Sequence, residues 1–247
     1  WSAKKFHDTI DYQLKAADET GSSTTWVFSN HDVIRHATRF GLPESALANL
    51  PKWFRSHDRE QHINKELGLA RARAASMLVL GLPGSTYLYQ GEELGLQEPL
   101  NIPSEQMQDP QWFRNEGSIS RDGCRVPMPW SKSGSSFGFG PGGAHLPQPD
   151  WFGEWSVEAQ DGVKGSTLEL YRAALRLRRQ LLTDEKLTWV KHWLNPNVLH
   201  FVRPNGWTVM TNFGTKPVKL PKGQVLLASA DVSDGKLPAN ATVWVQR

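Results

Sequence analysis

The sequence predicts an α/β fold with a parallel sheet, followed by an all-β antiparallel domain. Three observations carry that prediction. Apolar residues recur at helical spacing over residues 4–18 and 62–80, and each of these segments runs on into a short stretch with strand character. Beyond Leu187 the rhythm changes to short β-type runs separated by turns. At 247 residues the chain can bury the core of one large domain or of two ordinary ones.

Phe6, Ile10, Leu14 and Ala17 mark one face of the first helix. Asp18 to Thr24 is a polar turn, and Trp26 to Phe28 is a continuous apolar run, as in a parallel strand covered on both faces. The second helix, His62 to Leu80, sets Ile63, Leu67, Ala70, Ala74, Met77 and Leu78 on its inner face. Gly81-Leu82-Pro83-Gly84 stops it, and a strand follows from Ser85 to Tyr89. From Gly91 to Pro149 the pattern dissolves into Gly, Pro, Ser and aromatic residues, so the segment 91–165 reads as a long loop of functional length. Ser166-Thr167-Leu168-Glu169 is a capping box that opens a helix to Leu182. Strand-like runs follow at Leu187–Trp193, Val198–Val202, Trp207–Asn212, Val225–Ala228 and Thr242–Val245. The expected division is 1–184 and 185–247. Two parallel strands cannot cover both faces or satisfy both edges alone, so further strands must complete the sheet.

Lys+Arg 28 against Asp+Glu 25 gives a net charge of +3, with the basic residues scattered. Arg172, Arg176, Arg178 and Arg179 read as a solvated helix face, and no nucleic-acid partner is expected. The single cysteine, Cys124, excludes an internal disulfide framework and suits a reducing, cytoplasmic location. It supports no zinc cluster with the scattered histidines. The apolar run from Ala74 to Leu82, with Ser76 inside it, falls far short of the ~20 residues that cross a bilayer, and no membrane partner is expected. The start at Trp1, without Met or leader, favours a cut chain or a fragment.

Function in parallel α/β folds gathers where strands end. The first strand runs into Ser29-Asn30-His31-Asp32 and the second into Tyr89-Gln90-Gly91-Glu92-Glu93. Each has a plain alternative when taken singly: a helix cap or turn carboxylate beside a surface histidine, and charge at a loop start. Trp26, Trp189 and Trp193 sit in strand patterns and read as core, whereas Trp112, Trp130, Trp151 and Trp155 lie in the long loop and are candidates for a site rim.

Together, WVFSNHD, then GLPGSTYLYQGEELGL, then RDGCRVPMPW resemble the second half of a glycoside hydrolase of the alpha-amylase family, most similar to its alpha-glucosidase and oligo-1,6-glucosidase branch. The resemblance covers essentially the whole chain. It implies the C-terminal part of a (β/α)8 TIM barrel, with the strings as barrel strands seven and eight and the loop after them. The helix at 166–182 and the β-rich tail then match the last barrel helix and a C-terminal β-sandwich.

Retaining glycoside hydrolysis uses a carboxylate nucleophile and a carboxylic acid ~5 Å apart, around a transition state of oxocarbenium character. By resemblance, Asp32 is a third, catalytic carboxylate that stabilises that state, and His31 donates to the same sugar hydroxyls. Arg121 resembles the arginine that reaches the same sugar, and Arg125 would brace the loop. Glu98 is a candidate contact to the leaving-group sugar, the alternative being a solvated loop residue. Asn30 would order the strand end, Gly91 would free the turn, and Glu92 and Glu93 would support the site from behind. The family's nucleophile aspartate and acid/base glutamate follow strands four and five, and strings like theirs do not occur here. The implied partner is therefore the N-terminal part of the same enzyme as a separate chain, with an alpha-glucoside as substrate. No cofactor or metal is expected in this chain, any structural Ca2+ or Mg2+ lying in the N-terminal part. Two other readings stay open: a non-catalytic fragment or carbohydrate-binding module, and a transglycosylating relative of the sucrose isomerase or trehalose synthase type.

Overall fold

A computed structural model describes every residue except 116, 118 and 192–194. The elements run α1 (Ala3–Thr20), β1 (Thr25–Val27), α2 (His36–Arg39), α3 (Glu44–Ala48), α4 (Leu50–Arg55), α5 (Lys65–Gly81), β2 (Ser85–Tyr87), α6 (Pro110–Arg114), α7 (Asp122–Arg125), α8 (Val157–Gln160) and α9 (Thr167–Leu181). Strands β3 (Thr188–Trp189), β4 (Val198–Val202), β5 (Trp207–Asn212), β6 (Val218–Lys219), β7 (Gln224–Ala228), β8 (Lys236–Leu237) and β9 (Ala241–Gln246) complete the chain. Two compact units result. One comprises Trp1–Val27, Ala70–Tyr87 and Leu170–Arg247, and the other Phe28–Leu69 and Leu88–Glu169.

In the first unit β1 and β2 pair in parallel, with Trp26 opposite Thr86 and Val27 opposite Tyr87. The sequence predicts cover on both faces of β1, whereas within this chain only one face is covered. Trp26 is buried and its Nε1 donates to the Pro83 carbonyl at 2.6 Å, but Thr25, Val27 and Tyr87 are exposed. Side chains alternate across a strand, so a pair covered on one face leaves every second residue to water.

The antiparallel sheet has the order β3-β4-β5-β9-β7, with a β6-β8 ribbon beside it. Period-two alternation sorts its side chains. Val198, Met210, Val243 and Val245 form a cluster with Leu237 of the ribbon and its neighbours Val218 and Leu220. The opposite face meets α5: Thr242 Oγ1 donates to the Ala74 carbonyl at 2.8 Å and Trp244 Nε1 to the Met77 carbonyl at 3.1 Å. β5 is accordingly buried along its whole length. Gly81 ends α5 against this sheet, where a Cβ would sit 2.6 Å from Val209 Cγ2. From Ala74 onward α5 is buried on every side rather than along one face, which its uncharged sequence AASMLVLG permits. Trp189 is part-buried between His7 and Phe201, while Trp193 lies outside the described residues.

Arg178 does not belong to a solvated face. It is buried, with Nη1 donating to the carbonyls of Leu80 and Leu82 and Nη2 to that of Gly84. The last carbonyls of a helix lack intrahelical donors, and Arg178 serves that of Leu80 at the end of α5 and two more just beyond it.

In the second unit the stretch predicted as a long loop builds a core of its own. Leu94, Leu96, Ile102, Met107, Val126, Met128, Leu146, Phe152 and Leu168 cluster there, with Trp112, Trp151 and Trp155 packed against them. A further cluster joins Leu42, Ala46, Trp53, Phe54 and Leu100. At the capping box the Glu169 N–H donates to Ser166 Oγ, and Glu169 Oε1 accepts from the Gly162 N–H. Gln160 Oε1 serves the N–H groups of Thr167 and Leu168 at the same helix start.

Candidate active site

Phe28 to Asp32 carry the chain out of β1, and Leu88 to Glu93 carry it out of β2. Asn30 Oδ1 accepts the Asp32 backbone N–H at 2.8 Å, an Asx turn that sets the direction of the next side chain. The Asp32 side chain is 49% exposed. Its Oδ1 accepts from Arg121 Nη1 at 2.9 Å and from Arg125 Nη2 at 3.2 Å, and its Oδ2 lies 3.3 Å from His31 Nε2. Arg125 also donates Nε to the His31 carbonyl at 2.9 Å, so it reaches the carboxylate as well as bracing the loop. Desolvation pushes the Asp32 pKa up, but the Arg121 hydrogen bond and the charges of His31, Arg121 and Arg125 together outweigh it and hold the carboxyl below its ordinary value.

Arg121 is itself held. Its Nε donates to Asp109 Oδ2 at 2.8 Å, its Nη2 to Asp109 Oδ1 at 2.7 Å, and its backbone N–H to Oδ2 at 2.6 Å. Asp109 is fully buried, and these bonds hold its carboxyl far below the usual carboxylate range. Asp122 Oδ2, also buried, accepts from the backbones of Gln108 and Asp109 and from Ser120 Oγ.

Behind Asp32 the groups are buried. Arg35 donates through Nη1 to the Gln90 carbonyl at 2.6 Å and through Nη2 to those of Cys124 and Val126. Gly91 has φ +86°, and a Cβ there would come within 2.6 Å of Arg35 Nη1 and 2.7 Å of Leu96 Cδ1, so both backbone and space require glycine. Glu98 is 5% exposed and accepts the Arg35 backbone N–H at 2.9 Å. The expectation that it touches a leaving-group sugar is therefore corrected: burial pushes it up to about 7, and it braces the loop from inside. Glu92 is buried near His36, with Oε1 3.8 Å from His36 Nδ1. His36 Nδ1 lies 2.9 Å from Ser29 Oγ. Desolvation pushes Glu92 up to about 8 and His36 down to about 3, so both favour their neutral forms. Glu93 is likewise raised by burial.

Of the four loop tryptophans expected at a rim, Trp130 is exposed. Trp112, Trp151 and Trp155 instead pack against the core of this unit, where large rings gain most from burial. Arg35, His36 and Asp109 were not singled out from sequence. Asp109-Pro110 carries a legible helix-start signal, and Asp109 Oδ1 does cap α6 through the Gln111 N–H, but nothing in that dipeptide announces the arginine. Among the described residues, no group of three or more His, Cys, Asp or Glu is placed to hold a metal ion, and no helix is long and apolar enough to cross a membrane.

The chemical feature of this cluster is an exposed carboxylate, Asp32, set among arginine and histidine donors. The chain belongs to the alpha-amylase family, its residues 1–185 matching the alpha amylase catalytic domain. It is 34% identical over 189 residues to a probable alpha-glucosidase of Rhizobium meliloti (strain 1021), covering 73% of this chain and 29% of the relative. It is 28% identical over 272 aligned positions to an oligo-1,6-glucosidase of Parageobacillus thermoglucosidasius, covering 96% of this chain and 43% of the relative. The solved structure of the alpha-glucosyl transfer enzyme XgtA matches with a TM-score of 0.70 at 29% identity, over 99% of this chain and 44% of that one. The chain spans less than half the length of these relatives.

Proposed function

We propose that the chain is the C-terminal part of a retaining alpha-glucosidase that releases terminal alpha-linked glucose from short saccharides. In this reading residues 1–184 supply the last two strands and flanking helices of a (β/α)8 barrel, including the loop 91–165, and residues 185–247 supply the β-sandwich after it. The observation that carries the reading is Asp32, an exposed carboxylate held ionised by Arg121, Arg125 and His31 where the chain leaves a parallel strand. As a glucosyl ring approaches oxocarbenium character its hydroxyls become stronger donors, so a fixed carboxylate binds the transition state better than the substrate. His31 and Arg121 would donate to the same ring from either side.

Bond breaking is assigned to an aspartate nucleophile and a glutamate acid/base in an N-terminal part, acting as the partner of this chain. The exposed Val27 and Tyr87 support that assignment, because they are the side chains that neighbouring strands would cover. The reading needs no cofactor, nucleic acid or membrane surface, and it places the protein in a reducing cytoplasm, which the lone Cys124 suits. A second reading, glucosyl transfer to a sugar instead of water, is favoured by one observation: XgtA, described as an alpha-glucosyl transfer enzyme, is 29% identical.

Product analysis with maltose and sucrose tests both. Glucose released by the complete enzyme, and not by this chain alone, supports the hydrolase reading; isomerised or transferred products support the second. Hydrolysis by the chain alone would refute the division of labour, and no reaction by the complete enzyme would refute the assignment.

A further inference from the structure

We propose that Asp109 is the positioning residue of the site: it aims Arg121 at Asp32 and thereby sets the direction of that carboxylate. The consequence for turnover rests on the alpha-glucosidase reading, but the geometry stands without it. A guanidinium presents five N–H donors in one plane. Asp109 takes one edge of that plane, Nε at 2.8 Å and Nη2 at 2.7 Å, and so fixes both its position and its tilt. What remains is Nη1, and it meets Asp32 Oδ1 at 2.9 Å. Without the clamp an arginine of this length has many rotamers, few of which end at Asp32.

Asp109 can do this because it is fixed in turn. Its side chain is fully buried and its Oδ1 caps α6 through the Gln111 N–H at 3.0 Å. Its backbone N–H is held by Asp122 Oδ2 at 3.0 Å, and that oxygen also accepts from Gln108 N–H and Ser120 Oγ. A chain of contacts therefore runs Asp122, Asp109, Arg121, Asp32. Arg125 reaches Asp32 on a separate route through the His31 carbonyl, so loss of Asp109 removes one of the two arginine contacts and leaves the other.

The test compares Asp109→Asn and Asp109→Glu with wild type. The Asn variant keeps the shape but presents an amide donor to a donor-rich partner; the Glu variant keeps the charge but lengthens the arm and misaligns the fork. The Asp32 carboxyl is titrated in this chain by carbon NMR, a readout that needs no activity. Freeing Arg121 should raise the Asp32 pKa in the Asn variant and raise it less in the Glu variant, because the Arg121 hydrogen bond and charge hold it down. In the complete enzyme kcat should fall ~10–100-fold in Asp109→Asn, with KM changing less than about threefold. A role confined to loop stability would lower the melting temperature while leaving the Asp32 titration and kcat at wild-type values, and that result overturns the proposal. Where Asp109→Asn does not fold, the titration of Asp109→Glu decides. An inactive wild-type enzyme would refute the glucosidase reading and leave the titration arm intact.

Discussion

Glu92 and His36 are buried 3.8 Å apart, and desolvation favours the neutral form of both. The pH dependence follows from the two directions. Between its ordinary value of 4.5 and about 8, Glu92 keeps a proton in the folded chain that the unfolded chain has released, so its contribution to stability falls as pH rises through that window. Between about 3 and 6.5 His36 is the opposite case: the unfolded chain binds the extra proton, and stability rises with pH. Above 6.5 the Glu92 effect is no longer offset. Urea unfolding at about pH 6 and about pH 8 should show wild type losing on the order of 1–2 kcal/mol, and Glu92→Gln should lose clearly less, the remainder coming from Glu98. An unchanged slope in the variant would contradict the burial argument. At this scale Asp32, His31 and Arg121 were legible because each sits in a string whose neighbours announce it. Glu98 was not, because its burial depends on Arg35, sixty-odd positions away, and a single sequence does not display that distance.

The elements that periodicity revealed are those long enough to show a period. α1, α5 and α9 exceed three turns, and β4 and β5 match the predicted runs at both ends. α2, α3 and α4 have four to six residues each, and β6 and β8 have two, too few for any repeat to register. Arg178 shows the same limit from another side: a basic residue on a helix reads as solvated until the carbonyls it serves are known. Arg178→Ala strands the Leu80, Leu82 and Gly84 carbonyls and should cost about 2–3 kcal/mol in chemical denaturation, with partial recovery in Arg178→Lys. Loss of less than about 0.5 kcal/mol would mean that water replaces the arginine freely.

For the whole molecule, the β1–β2 pair is the informative feature. Tyr87 is 65% and Val27 47% exposed on neighbouring strands, a placement that a finished parallel sheet rarely leaves. Replacing Val27 with Asp should change the stability of this chain by less than about 0.5 kcal/mol, since the residue already meets water. In the complete enzyme the same change should abolish assembly with the N-terminal part or lower its melting temperature by several degrees. Equal effects in both would mean that no strand ever covers this face.

In the proposed function Asp32 acts in the transition state while other carboxylates break the bond. This role is tested most directly by kcat and KM for Asp32→Asn in the complete enzyme with an aryl alpha-glucoside. The expected result is a fall in kcat of about three orders of magnitude or more with KM little changed and an unaltered melting curve, because the lost charge acts where the ring becomes cationic. Turnover within about tenfold of wild type would contradict it.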